Sequence, residues 1–239
     1  MLKAALEYIT NLREPNIEEI NGDFYSDKPL HRIDAYYPKA NAQIEMSTLT
    51  GFVRYITECI DEYEGIMIVH VVSPTMVKLY SRLDINRERE YVATSVAMLP
   101  ELRFGTYTDQ ESFCIGLQSK FISNEDRELL LKFAGTVQKG TIAEYGDDGV
   151  TQKATIKTGI ASTSDAIVPN PVTLKPYRTF LEVEQPESKF VFRMKDLNGV
   201  QCALFEADGG AWKIEAMQRI KDYLQESLRE VKDQFIVIA

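Results

Sequence analysis

The chain reads as an α+β protein, mainly antiparallel sheet with several packed helices and a long C-terminal helix. Three observations predict this. Apolar residues recur at helical spacing behind capping residues, short β-rich runs are separated by Asp-Gly and Asn-Gly turns, and the chain changes character to β-rich from Thr141 onward. With 239 residues, 44% hydrophobic and 26% charged, the chain is long enough to bury roughly 70% of its unfolded surface. One intertwined domain over residues 1–239 is expected, with a helix-rich segment over residues 1–140 and a β-rich segment over residues 141–239 as the alternative division.

Met1 to Arg13 is read as an amphipathic helix carrying Leu2, Leu6 and Ile9 on one side, rather than as a leader segment. Pro15 to Pro29 is polar and turn-rich, and His31 to Tyr37 is read as a strand ended by Pro38. Ser47 is the expected cap of a helix with Leu49, Phe52, Val53, Ile56 and Ile60 on its inner stripe, ended by Gly65. Ile66 to Val72, Met76 to Arg82 and Glu90 to Ala97 then form a three-stranded meander. Thr108 with Glu111 matches a capping box for a helix carrying Phe113, Leu117 and Phe121. Ser123 with Asp126 opens the next, whose stripe is Leu129, Leu130, Phe133 and Val137.

From Thr141 the pattern is β-rich. Thr141 to Tyr145 and Val150 to Thr158 flank Gly146-Asp147-Asp148-Gly149, a hairpin signal because Asp-Gly supplies the positive φ angles of a tight turn. Ala161 to Pro176 is read as a loop, and Tyr177 to Glu184 and Lys189 to Lys195 as strands. Asn198-Gly199 then turns the chain into Val200 to Glu206. The last helix begins after Asp208-Gly209-Gly210 and carries Trp212, Met217, Ile220, Leu224, Leu228 and Val231. The apolar tail Phe235, Ile236, Val237 and Ile238 is expected to pair at a sheet edge or to dock on another subunit.

Composition narrows the function. A net charge of −9 disfavours nonspecific attraction to duplex DNA or anionic membranes. The longest apolar run is too short to span a bilayer, so a cytoplasmic protein without a membrane partner is expected. Cys59, Cys114 and Cys202 are far apart and lack metal-knuckle spacing, which suits buried free thiols in a reducing compartment. With only His31 and His70, neither a histidine-based nucleophile system nor a zinc site is legible. No cofactor is implied.

Asp147 and Asp148 are the candidate metal ligands, although a hairpin requires Asp and Gly there whatever the function. Asp208 is explained by capping at a helix start. The candidate ligand-binding residues are Lys175, Tyr177, Arg178 and Arg193: they follow a proline-rich loop or sit beside Phe190 and Phe192, and their cations are able to take phosphate, a base or a carboxylate.

Asp147-Asp148-Gly149-Val150 with Gln152, Pro169-Asn170-Pro171-Val172, Leu174, Pro176-Tyr177-Arg178-Thr179-Phe180, Gln185-Pro186 with Ser188, Phe190 and Arg193, and Asp208-Gly209-Gly210 with Trp212 carry a resemblance. From about Val69 to the last helix the chain resembles the YfdQ-like family of phage and prophage proteins. The resemblance implies a bacterial-virus setting, often near genes of DNA metabolism, and brings no catalytic residues.

The leading expectation is a non-enzymatic phage accessory protein that forms a homo-oligomer, an assembly or shell-like scaffold, and acts by binding. A magnesium-dependent enzyme acting on nucleotides or nucleic acid is the second reading, with Asp147, Asp148 or Asp208 holding the metal. The third is a single-stranded nucleic-acid-binding protein in which Tyr177, Phe180, Phe190 and Phe192 stack bases beside Lys175, Arg178 and Arg193.

Overall fold

The computed structural model describes residues 3, 15–29, 39–61, 65–137, 143–144, 152–157, 163–167, 170–196 and 198–239. The expected N-terminal helix, apart from Lys3, the strand at 31–37 with His31, and the turn carrying Asp147 and Asp148 lie outside these residues. The chain divides into two compact units, Met1–Lys39 and Ala40–Ala239.

In the first unit, the stretch read as turn-rich is a hairpin. Strands β1 (Ile17–Ile20) and β2 (Asp23–Ser26) pair antiparallel. Asn21 and Gly22 take φ of 57° and 88° between them, the positive angles of a two-residue turn whose twist matches that of the strands it joins.

The second unit is α+β. It contains β3 (Ile44–Met46), helix α1 (Leu49–Thr57), and the strands β4 (Met67–Ser73), β5 (Met76–Ser81) and β6 (Tyr91–Val96). Next come β7 (Thr108–Asp109), α2 (Gln110–Lys120), β8 (Phe121–Ile122) and α3 (Glu125–Thr136). Five strands follow: β9 (Ala143–Glu144), β10 (Gln152–Lys157), β11 (Thr163–Ile167), β12 (Val172–Pro176) and β13 (Ser188–Asp196). Strand β14 (Val200–Glu206), α4 (Trp212–Ser227), a 3₁₀ turn Arg229–Gln234 and β15 (Phe235–Ile238) complete it. Sheet A has the order β7-β14-β13-β12-β8, sheet B the order β15-β4-β5-β6-β3, and β11-β10-β9 form a smaller sheet. Pairing is antiparallel except at the two margins of sheet B, where β15 runs parallel to β4 and β3 parallel to β6.

The meander β4-β5-β6 forms as read. Two readings in the β-rich half are corrected. The stretch 161–176 holds β11 and β12, the latter with alternate residues Val172, Leu174 and Pro176 buried. The run Tyr177 to Glu184 is an irregular segment, in which the Arg178 and Thr179 amides donate to the Gln185 side chain rather than to a neighbouring strand.

Each sheet has its own core. Under sheet B, Leu49, Phe52 and Ile56 of α1 and Ile220 and Leu224 of α4 pack on Met67, Val69, Val71, Val77 and Leu79. Under sheet A, Phe113 and Leu117 of α2 and Leu130 and Phe133 of α3 pack on Phe190, Phe192, Met194, Cys202 and Leu204. Alternation along β13 sends Phe190, Phe192 and Met194 inward. The Phe192 ring stacks on Phe113 at 5.3 Å and meets Phe133 edge-on at 6.5 Å. Leu129, placed on the inner stripe by spacing, is exposed, since α3 turns Leu130 and Phe133 inward. Of the three thiols expected in the core, Cys202 is buried and pushed up to about 12 by desolvation, while Cys59 is exposed. Cys59 follows the end of α1 with a φ of 47°; the helix stops there at Thr57, well before Gly65.

The helix starts share one correction. Each expected cap is followed by a second cap-forming residue, and the fold uses the second. Thr48 accepts from the Gly51 amide at 3.0 Å, Asp109 from Ser112 at 2.9 Å, and Asn124 from Arg127 at 2.8 Å. Thr108 and Asp109 both pair with β14, and Asp109, the last residue of β7, stands directly before the helix and caps it. Asn124 also donates to the Thr173 carbonyl at 2.9 Å, tying α3 to β12. Replacing Asn124 by Ala should therefore lower stability by about 1–2 kcal/mol. Ser123→Ala, on an exposed position, should stay within about 0.5 kcal/mol, with urea midpoints at a common m-value as the measurement.

Candidate functional site

Of the candidate ligand cations, Lys175 and Arg178 engage the segment that joins the two sheets. Segment 177–187 leaves β12 of sheet A and returns to β13. On the way it inserts Phe180 and Val183 into the core of sheet B. Gln185 holds this excursion in shape. Its side-chain carbonyl accepts from the Arg178 and Thr179 amides at 2.9 and 3.1 Å, and its amide nitrogen donates to the Thr179 and Phe180 carbonyls at 3.2 and 3.0 Å. The segment is fastened at its margins as well. Glu182 accepts from the Thr50 amide of α1 at 3.1 Å, and Arg219 of α4 donates to the Glu184 carbonyl at 2.9 Å.

Arg178 is only 4% exposed. Its guanidinium donates to Glu206 at the end of β14 at 3.2 Å, to the Pro186 carbonyl at 3.3 Å, and to the Ser188 hydroxyl. It also lies over the Trp212 ring at the start of α4, 4.1 Å from the centroid. Ser188 passes the contact on by donating to Asp208, which accepts from the Gly210 amide at 3.0 Å. Burial pulls Arg178 down to about 10, opposed by Asp208, Glu206 and Glu215, so it remains charged at neutral pH. The Arg178 Nε and the Trp212 indole N–H have no hydrogen-bond partner among the described residues. The arginine thus joins β13, β14, segment 177–187 and α4 through a charge-assisted network of the kind that is costly to break.

The other sequence candidates are placed as follows. Lys175 pairs with Glu184 at 3.1 Å and Glu187 at 3.2 Å. Tyr177 is half-buried, and its backbone amide donates to the Lys120 carbonyl at 2.9 Å. Arg193 is half-buried on the β13 face opposite Phe192. Phe180, Phe190 and Phe192 are core residues, which leaves these rings unable to stack on bases as the single-stranded reading requires. Asp147 and Asp148 fall outside the described residues; among the described residues no group of three or more His, Cys, Asp or Glu is arranged to hold a metal ion. His70 is half-buried, its Nδ1 3.0 Å from the Tyr80 hydroxyl. No described helix is long and apolar enough to cross a membrane.

Two surface features remain. Strand β15 forms a margin of sheet B, with Phe235 in the core and Ile236 and Ile238 exposed by 44% and 39%. The second is a cleft of about 340 Å³ between residues 101–108, α2 and β14, with Leu102, Phe104, Phe113, Leu117 and Leu204 in its lining and Glu101, Arg103 and Lys120 among its polar residues. Periodicity in the sequence does not reveal the cleft, because 101–107 has neither a helical nor a sustained strand pattern. The alternation of Leu102 and Phe104 around Arg103 is the signal that marks a half-buried extended segment there.

No protein-family model, no curated protein and no solved structure matches this chain.

Asp208 makes the network testable by pH. Burial works to raise its pKa, but Ser188, the Gly210 amide and Arg178 outweigh it and hold the carboxyl below its ordinary value. A carboxylate depressed on folding contributes stability above its unfolded pKa of about 3.9 and loses it as pH falls through the folded value. Asp208→Asn should therefore destabilise at pH 7, and the gap to the parent chain should begin to close below about pH 4 in urea titrations across pH.

Proposed function

We propose that this protein acts by binding rather than catalysis and self-associates through the β15 margin of sheet B, as a phage-encoded accessory protein of the setting its YfdQ-like resemblance implies. The observation that carries this reading is the exposed pair Ile236 and Ile238 on a terminal strand. Edge strands in monomeric proteins are usually guarded by lysine, proline or a bulge. Strand β15, Phe-Ile-Val-Ile, has no charge and no proline. At the opposite margin β3 carries Glu45, a charge that blunts pairing there.

The face beside Ile236 and Ile238 continues the apolar surface. The parallel register sets Ile236 next to Ile68 and Ile238 next to His70, and Val72, on the same face of β4, is exposed. A second copy laid antiparallel against this margin would extend sheet B across a two-fold axis and cover both isoleucine pairs at once. Such an isologous contact closes on itself, and a further heterologous contact would be needed to build a shell.

Size-exclusion chromatography with light scattering at micromolar concentration should show at least two chains per particle. The double substitution Ile236→Lys, Ile238→Lys should yield monomers with a stability change of about 1 kcal/mol or less, since both side chains are partly exposed already. A parent chain that runs as a clean monomer would remove the proposal.

A further inference from the structure

The cleft beside α2 is independent of the β15 margin and of any assembly. We infer that it is a binding site for a small amphipathic carboxylate, an apolar body of modest length ending in one negative charge. Its volume, about 340 Å³, falls at the lower end of the roughly 300–1,000 Å³ of ligand sites, which combine apolar lining with a few orienting polar groups. Leu102, Phe104, Phe113, Leu117 and Leu204 supply the apolar lining. Phe104 is braced against Phe190 at 5.0 Å and Phe121 at 6.5 Å, so this side of the cleft rests on the core of sheet A and is formed before any ligand arrives.

The polar end favours an anion. Arg103 binds the Glu101 carboxylate with two donors, at 2.9 and 3.1 Å, and Lys120 donates to the Glu101 backbone carbonyl at 2.8 Å. The Arg103 hydrogen bond, together with the charges of Arg103 and Lys120, holds the Glu101 carboxyl below its ordinary value. Glu101 therefore occupies the position that a ligand carboxylate would take: Arg103 already holds one there, and the Lys120 ammonium lies beside it on the Glu101 backbone carbonyl. Both Glu101 and Arg103 are well exposed. An ion pair so exposed is weak in water, so a ligand that also buries its apolar body can displace Glu101. Two cations against one internal carboxylate leave the mouth with a surplus positive charge on a chain whose net charge is −9.

Gly116 gives the site a handle. It lines the cleft from within α2, and a Cβ added there meets nothing within 4 Å. Gly116→Leu would fill the space, and replacing glycine inside a helix favours folding.

The test titrates the full chain with sodium decanoate, and separately with the neutral 1-decanol, following backbone amides by NMR below the concentration at which either aggregates. Decanoate should give saturable shifts at Ser112, Gly116 and Leu204. Gly116→Leu should abolish them while thermal unfolding shows the variant folded. The double substitution Arg103→Gln, Lys120→Gln should weaken decanoate by up to about fivefold and leave decanol unchanged. Decanoate shifts that are absent, unsaturable or retained in a folded Gly116→Leu chain would overturn the site. Equal weakening of decanoate and decanol, or of neither, would overturn its assignment to anions. If Gly116→Leu does not fold, the same readings are taken from Gly116→Ala, which should reduce affinity in proportion to the smaller volume it fills.

Discussion

Arg178 is the only charged side chain buried among the described residues, and the arrangement of the second unit depends on where its guanidinium goes. A buried charge is tolerated when it is paired and hydrogen-bonded. Here the partners come from Glu206 after the body of β14, Ser188 at the start of β13, the Pro186 carbonyl and the Trp212 ring. Satisfying this one cation sets the path of 177–187, and that path carries Phe180 and Val183 from a connection within sheet A into the core of sheet B. Gln185 holds the bend, so that backbone groups without strand partners are nevertheless bonded.

This constraint bears on function by subtraction. Of the residues that look like ligand contacts in the sequence, Arg178 and Phe180 are engaged where the two cores join, and Phe190 and Phe192 lie in the core of sheet A. The acidic Asp208 completes that network by accepting from Ser188 and from the Gly210 amide. What faces outward is of a different kind, namely an apolar sheet margin at β15 and a lined cleft beside α2. Surfaces of these two kinds are what the proposed binding role would use. Each surface is backed by a core: Phe235 of β15 packs in that of sheet B, and Phe113 and Leu117 of α2 in that of sheet A.

Much of the fold is legible in the sequence because local signals carry it. The meander of β4, β5 and β6, the Asn198-Gly199 hairpin and the helices beneath sheet A follow from periodicity and turn chemistry. Errors arise where two adjacent residues compete for one role, as at Ser47 and Thr48, Thr108 and Asp109, and Ser123 and Asn124, since sequence alone does not say where the strand or loop before each helix ends. The strand reading of Tyr177 to Glu184 fails for a tertiary reason. Its apolar residues do serve a core, but the core of the other sheet, and the bonds that replace a ladder come from Gln185. Arg178 stands out in the sequence, while its role there is invisible, because its partners Ser188, Glu206 and Trp212 are distributed over a stretch that only folding brings together.

Contacts of Arg178 with β13, β14 and α4 lead us to expect that it couples the two sheets into one cooperative unit. Native-state hydrogen exchange read by mass spectrometry tests this directly, by comparing the opening free energy of the β4–β5 amides with that of the β13–β14 amides. In the parent chain the two should share one value, the signature of elements that open together. In Arg178→Met the values should separate, with sheet B losing protection beyond sheet A as Phe180 and Val183 are released. A single common value that persists in Arg178→Met would show that the sheets are joined by something else and would contradict the coupling.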